Sequence, residues 1–282
     1  MKIAVISDVH ANLPALEAVT DHLEAWRPDR VIVAGDLVNR GPRSLECLQF
    51  AQHKARVAGW RLLLGNHEEY VMRHADPDAP RSGPAFEIRR ASYFTFCQLG
   101  CNVRPLAALP FSISLDSPDG SEARFTHASM RGTRDGIYRR TPDAEVLLQV
   151  GAPRQDGALP SLFCVGHTHM PFARRVGEML TVNAGSVGMP FDGDTRASYA
   201  QLAWRDGEWS AEIVRLAYDL ERADRDYEET GFLEQGGPLA RLMRIELRTA
   251  HSQLYQWAQR FEAPVLAGVM TMEESVEEFL AM

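Results

Sequence analysis

Short apolar runs alternate in this chain with longer stretches whose apolar residues recur every three or four positions. Residues 2–6, 31–34 and 61–64 are β-branched or leucine-rich and read as buried strands. Between the first two, residues 11–26 carry Leu13, Leu16, Val19, Leu23 and Trp26 near helical spacing, with Pro14 in the tolerated first turn. A second helix is expected over 43–55, after Gly41-Pro42. Strand, helix, strand, helix, strand is the pattern of a parallel sheet with right-handed crossovers. Ligands collect at the carboxyl edge of such sheets.

Residues 67–74 read as a short helix, 76–84 as a loop rich in Pro and Asp, and 86–99 as an amphipathic helix with Tyr93, Phe94 and Phe96 on its aromatic face. From Phe111 the pattern changes. Strands are expected at 111–115, 123–126, 162–165, 173–176, 180–183, 198–204 and 209–216, separated by turns such as Pro118-Asp119-Gly120 and Asp206-Gly207. This half predicts a mostly antiparallel or mixed sheet. Two sheets face to face with helices outside account for residues 1–217, with a cap-like insertion at about 75–105. After Tyr218 the strands stop. Helices at 220–230, 239–261 and 273–281, broken by Gly236-Gly237-Pro238, make residues 218–282 a C-terminal helical extension.

Composition narrows the class of partner. Thirty Lys and Arg against 38 Asp and Glu leave a net charge of −8, which argues against general attraction to a nucleic-acid polymer or an anionic membrane. No apolar run approaches the roughly 20 residues that span a bilayer. The first residues open directly into a strand without the regions of a signal peptide, so a cytoplasmic location is expected. Cys47, Cys97, Cys101 and Cys164 form no CxxC pair and read as small buried thiols.

The polar residues that follow the strands carry the chemistry. They are Asp8, His10, Asp36, Asn66, His127, His167 and His169. In an extended segment His167 and His169, two residues apart, point the same way and converge on one locus. Seven donors exceed what one zinc needs and suit two divalent ions that share a carboxylate. Asp36 is the natural bridge, because its strand lies between the other two. Asp8, His10, Asp36 and His169 are expected on one ion; Asp36, Asn66, His127 and His167 on the other. Mixed nitrogen and oxygen donors without thiolate favour Mn, Fe, Zn, Ni or Co, and the imidazoles argue against Ca or Mg. Two ions roughly 3.5–4 Å apart activate a shared, bridging hydroxide and clamp phosphoryl oxygens. His67, one residue past Asn66, is placed to act as general acid or to steady charge on a phosphate. Arg40 matches a phosphate oxygen pair.

Other candidates take plainer readings. His22, His53, His74 and His251 fall on predicted helices as surface or packing residues. Glu68 supports its own helix, and Asp192 and Asp194 form a turn. Arg131, Arg134, Arg139 and Arg140 make a basic patch just after His127, with anion steering as the alternative to a solvated loop.

Five blocks together resemble the signature of the calcineurin-like metallophosphoesterase superfamily. They are Asp8-Val9-His10, residues 35–41 from Gly35-Asp36 to Arg40-Gly41, Gly65-Asn66-His67-Glu68, Thr126-His127 and Gly166-His167-Thr168-His169. Residues 183–188, followed by 190–194, further resemble the YfcE-like phosphodiesterase branch. The resemblance covers residues 1 to about 195 and implies a four-layer α-β-β-α sandwich, an α/β fold. It also implies a dinuclear site, often Mn or Fe, that hydrolyses phosphomonoesters or phosphodiesters. The catalytic set it implies is His67, Arg40 and Asp36. The expected substrate is a small phosphodiester, nucleotide or dinucleoside polyphosphate. The alternatives are a Ser/Thr protein phosphatase-like phosphomonoesterase and a non-catalytic metal-binding interaction scaffold. A homo-oligomer through the C-terminal helices is a further expectation. Two positions depart from relatives: Asn39 stands where an Asp is usual, and Ala128 follows His127 where Gly is common.

Overall fold

Buried backbone polar groups need hydrogen-bond partners, and here two ladders, back to back, supply many of them. The structure, a computed structural model, describes residues 1–152 and 157–282. The first half runs β1 (Lys2–Ile6), α1 (Leu13–Trp26), β2 (Arg30–Val33), α2 (Ser44–Ala58), β3 (Arg61–Leu62) and α3 (Asn66–Met72). Three helices follow, α4 (Pro84–Glu87), α5 (Arg90–Gln98) and α6 (Arg104–Ala107). Next come β4 (Ser112–Asp116), β5 (Glu122–Thr126), α7 (Asp143–Gln149), β6 (Leu162–Val165), β7 (Phe172–Val176) and β8 (Met179–Asn183). The strands end with β9 (Ala197–Arg205) and β10 (Glu208–Leu216). The remaining helices are α8 (Leu220–Glu229), α9 (Phe232–Gln235), α10 (Leu239–Thr249), α11 (Gln253–Trp257), α12 (Ala263–Leu266) and α13 (Met272–Leu280).

The two five-stranded sheets have the orders β10-β9-β1-β2-β3 and β4-β5-β6-β8-β7. β1, β2 and β3 are parallel, as expected, and β5, β6 and β8 form a parallel centre in the second sheet. The second half of the chain does not stay in one sheet. β9 returns to pair antiparallel with β1, with Ala200 opposite Val5. Strand periodicity marks which face is buried but not which edge a later strand joins, so this return was not legible locally.

Alternation along β1 shows how the layers are held. Ile3 and Val5 face the inter-sheet core with Ile32, Phe125, Cys164 and Val182, whereas Ala4 and Ile6 face Leu16, Val19 and Leu23 of α1. α7 covers the far side of the second sheet through Val146, packed with Phe163 and Val165. The result is the α-β-β-α sandwich.

The C-terminal helices bury a common apolar face against α5. Phe94 meets Phe232 edge to face at 5.1 Å between centroids, and Ala91 joins Tyr227, Leu242, Met243 and Trp257 in one cluster. The single helix expected over 239–261 is broken. Ala250 adopts φ +53°, and α11 restarts at Gln253. The break is stabilised by Glu246, whose carboxylate accepts the free N–H groups of Gln253 at 2.7 Å and Leu254 at 2.9 Å. Cys47 and Cys164 are buried as expected, but Cys97 near the end of α5 and Cys101 just after it are exposed. Among the described residues no helix is long and apolar enough to cross a membrane.

Candidate metal centre

Each predicted donor follows the carboxyl end of a strand, and the facing of the two sheets brings these ends together. β1 delivers Asp8 and His10, β2 Asp36, β3 Asn66, β5 His127 and β6 His167 with His169. The local backbone is not the extended one expected. Twelve non-glycine residues among those described have positive φ, and eight of them crowd this site: Asp8, His10, Ala11, Asp36, Asn39, Arg40, His167 and His169. Left-handed backbone is costly for such residues and persists where surrounding structure over-determines it. The consequence for the Gly166-His167-Thr168-His169 turn is direct. The two rings do not converge on one locus: His169 joins Asp8 and His10, while His167 joins Asp36 and His127. Asn183 fixes that turn by donating from Nδ2 to the Gly166 carbonyl at 2.7 Å and to Thr168 Oγ1 at 3.0 Å.

Both carboxylates are buried, and each is anchored by one oxygen. Asp8 Oδ2 accepts the His167 N–H at 2.9 Å, and Asp36 Oδ1 accepts the His67 N–H at 2.8 Å. The other oxygen of each faces imidazole nitrogens. Asp8 Oδ1 lies 3.3 Å from His169 Nε2 and 3.8 Å from His10 Nε2. Asp36 Oδ2 lies 3.7 Å from His10 Nε2 on one side and 3.3 Å from His127 Nε2 on the other. That intermediate position is the one a bridging carboxylate occupies.

The rings are turned by their second nitrogens. His127 Nδ1–H donates to the Ala34 carbonyl at 2.8 Å, and His169 Nδ1–H donates to the Met189 carbonyl. Their Nε2 lone pairs therefore point inward, the usual way a ligating imidazole is oriented. His127 Nε2 then meets Asn66 Oδ1 at 3.0 Å beside Asp36 Oδ2, and His169 Nε2 meets His10 Nε2 at 3.1 Å. Gly35 permits this approach: at φ +87°, a Cβ there would stand 2.7 Å from His127 Nδ1.

Electrostatics show the same crowding. Burial works to raise the Asp36 carboxyl, but His127 and His67 outweigh it and hold it well below the usual range. Burial opposes a charged His127, yet Asp36 favours a proton on its Nε2 and pushes that imidazole up to about 10; a metal ion at Nε2 would take that proton's place. Burial, then His67 and His169, keep His10 well below its ordinary value and neutral. A buried cluster in which Asp8 Oδ1 has no hydrogen-bond partner, and acceptor lone pairs face one another, is satisfied by cations among them. The donor set thus fits two divalent ions.

Around the donors stands a supporting shell. Glu68 is wholly buried, and its carboxylate accepts four backbone N–H groups: Leu37 at 2.8 Å, Val38 at 3.2 Å, Asp36 at 2.9 Å and Gly65 at 2.8 Å. It ties the Asp36 loop to the start of α3, a larger role than supporting its own helix. Burial and the neighbouring Asp36 push its carboxyl up to about 7, and the amide donors oppose them.

Asn39 resolves the effect of the missing aspartate. Its Oδ1 accepts the Arg40 N–H at 2.8 Å, so its Nδ2 donates to His67 Nδ1 at 3.0 Å. His67 is left as a neutral ring with its proton on Nε2. Burial and then Arg40 lower its pKa to about 3 against the pull of Asp36.

Arg40 is in place but not free. Its Nη2 donates to Glu246 Oε2 at 2.6 Å, and its guanidinium lies 5.1 Å from the centroid of Phe191, which stacks on His169. Glu246 escaped the sequence reading. Its signal was a carboxylate on the apolar face of α10, in line with Leu239, Leu242 and Met243.

Asp192 pairs with Arg215 and Asp194 with Arg196. Arg131 pairs with Glu145 and Arg134 with Glu69, so two guanidinia of the basic patch are already bound to carboxylates. Tyr93 and Phe94 pack against Phe86 and Phe232 within the cap and C-terminal helices.

Comparison with known proteins accords with this geometry. Residues 1–207 match the profile of the calcineurin-like phosphoesterase superfamily domain. An uncharacterised protein of Methanocaldococcus jannaschii is 28% identical over 236 residues, 78% of this chain and 89% of that protein. The phosphodiesterase YfcE of Escherichia coli is 26% identical over 203 residues, 72% of this chain and 87% of that enzyme. A metallophosphoesterase structure from Sphaerobacter thermophilus superposes with a TM-score of 0.68 at 27% identity, covering 89% of this chain and 99% of that one.

Proposed function

The chain belongs to the calcineurin-like phosphoesterase superfamily, and from that premise and the site geometry we propose that it hydrolyses small phosphodiesters with two divalent transition-metal ions. The substrate range includes nucleotides and dinucleoside polyphosphates. The carrying observation is the position of Asp36 Oδ2 between His10 and His127. Asp8, His10, Asp36 and His169 would hold one ion, and Asp36, Asn66, His127 and His167 the other. Manganese is the first choice, with Fe, Zn, Ni or Co acceptable to the same donors. When bound, such ions polarise a phosphoryl oxygen and make water acidic enough to attack near neutral pH.

The chain's own groups do the rest. His67 presents Nε2–H to the phosphate or leaving oxygen and stabilises charge as it develops there. Its tautomer, set by Asn39, makes it a hydrogen-bond donor rather than a cationic acid. Arg40 supplies positive charge beside His67, with its direction set by Glu246. Glu68 keeps the Asp36 and Asn66 loops in register. The site is walled by α10 and α11, which supports a small substrate over the protein-phosphatase reading, because a phosphoprotein needs an open groove. The retained donors and His67 argue against a non-catalytic scaffold. Four free cysteines support a reducing, cytoplasmic location.

The test is manganese-dependent hydrolysis of bis(p-nitrophenyl) phosphate together with elemental analysis of the purified protein. Wild type is expected to turn over and to carry about two metal ions per chain, with Asp36→Asn and His67→Ala strongly impaired. Equal rates in wild type and both variants would defeat the reading.

A further inference from the structure

Beside the candidate metal centre lies a cavity of about 390 Å³ whose inner end is formed by Asn39, Arg40 and His67. This is within the range of small-ligand pockets and too small for a folded phosphoprotein or a polymer. Its walls come from two unlike sources. α3 and the cap segment supply Tyr70, Arg73, Ile88 and Arg89, while α10 and α11 supply Met243 and Leu254. The second wall lies beyond residue 207, outside the part of the chain that the family profile matches.

The chemistry of the walls is specific. Ile88, Met243 and Leu254 present apolar surface. Tyr70 stands edge to face with His67 at 5.1 Å and has the Arg73 guanidinium 5.6 Å from its ring centroid. A path therefore leads along one helix face from His67 through Tyr70 to Arg73. Arg73 and Arg89 are exposed and lack a carboxylate partner among the described residues, whereas the nearby Arg90 pairs with Glu87 and Arg134 with Glu69. Among the described residues, Glu262 is the one carboxylate lining the cavity. Two unpaired cations at the mouth of an apolar cavity suit an organic group that carries its own negative charge.

We propose that the C-terminal helices and the cap together form the pocket for the organic group of the phosphoester, and that this group is a mononucleotide-sized body bearing a second anion. The proposal rests on the phosphoesterase reading of the adjoining site. The apolar body lies on Ile88, Met243 and Leu254; its second phosphate meets Arg73 and Arg89. Glu246 contributes indirectly, as a positioning residue that fixes both Arg40 and the start of α11.

The experiment uses the manganese-loaded full-length protein, the double variant Arg73→Ala/Arg89→Ala and the single variant Leu254→Asp, each checked for an unchanged melting temperature. ADP binding is measured by calorimetry. In parallel, kcat/KM is measured for a 5′-phosphorylated dithymidine dinucleotide and for bis(p-nitrophenyl) phosphate. Expected are at least tenfold weaker ADP binding and at least a tenfold fall in the ratio of the two kcat/KM values, mainly through KM. Unchanged ADP affinity or an unchanged ratio in both variants overturns the pocket and leaves the phosphoesterase reading standing. If neither ester is hydrolysed by wild type, that reading fails, while the ADP titrations still report on the pocket.

Discussion

Arg40 and Glu246, 206 positions apart in sequence, form an ion pair with 2.6 Å between Nη2 and Oε2. The Glu246 side chain is fully buried and that of Arg40 is 11% exposed. The pair joins the loop after β2, at the heart of the site, to a helix of the C-terminal extension. The same carboxylate accepts from Gln253 and Leu254, so one residue organises the site wall and the helix break.

Removal of Glu246 leaves a buried guanidinium uncompensated, a change that costs about 3–5 kcal/mol. Glu246→Ala is expected to lower stability by an amount of that order in chemical denaturation. Glu246→Gln keeps one acceptor oxygen, for Arg40 or for α11 but not for both, and should be milder than the alanine. Both should raise KM, since Arg40 loses its fixed direction.

His67→Ala is expected to reduce kcat by about 10²–10³, the usual cost of removing one hydrogen-bond donor aimed at developing charge. Asn39→Ala removes the hydrogen bond that selects the His67 tautomer. Loss of one such bond, about 1–1.5 kcal/mol, gives about a tenfold fall in kcat with KM little changed. Steady-state kinetics on an aryl phosphodiester distinguish these outcomes.

Glu68→Gln is nearly isosteric, yet it sets an amide N–H₂ against backbone N–H groups that now find a carboxylate oxygen. The loops bearing Asp36 and Asn66 should loosen. Metal affinity is expected to fall about 10–100-fold, as for other groups that orient ligands. Competition titration with a chromophoric chelator measures this without reference to turnover.

His74 predicts an acid-sensitive cap. Ser92 donates to the Arg89 carbonyl and so accepts from His74 Nε2–H at 2.8 Å, leaving His74 Nδ1 buried without a partner. Burial, then Arg81 and Arg89, lower its pKa to about 4. The folded state binds the proton less readily than the unfolded chain, whose imidazole titrates near 6.5. The His74 contribution is therefore intact above about pH 6.5 and is lost as pH falls through 4. His74→Gln should flatten this part of the stability profile, measured as melting temperature against pH.

Much of the fold was legible in local pattern. The runs at 2–6 and 162–165 coincide with β1 and β6, and α1 and α2 follow their apolar spacing. The helix expected over 239–261 failed because periodicity alone does not register a carboxylate placed to capture the N–H groups of a new turn. α7 was missed because seven positions, about two turns, are too few to establish a helical period.

By itself, the sequence determined which side chains would gather, because parallel strand–helix units carry their loops to one sheet edge and every donor follows a strand. What the tertiary structure alone decided is how they face one another. Left-handed backbone at His167 and His169 sends their rings to separate clusters, and the Ala34 and Met189 carbonyls choose the nitrogens that point inward. Arg40 meets Glu246 for the same reason. A partner 206 positions away is selected by the packing of whole elements, which no window of local spacing contains.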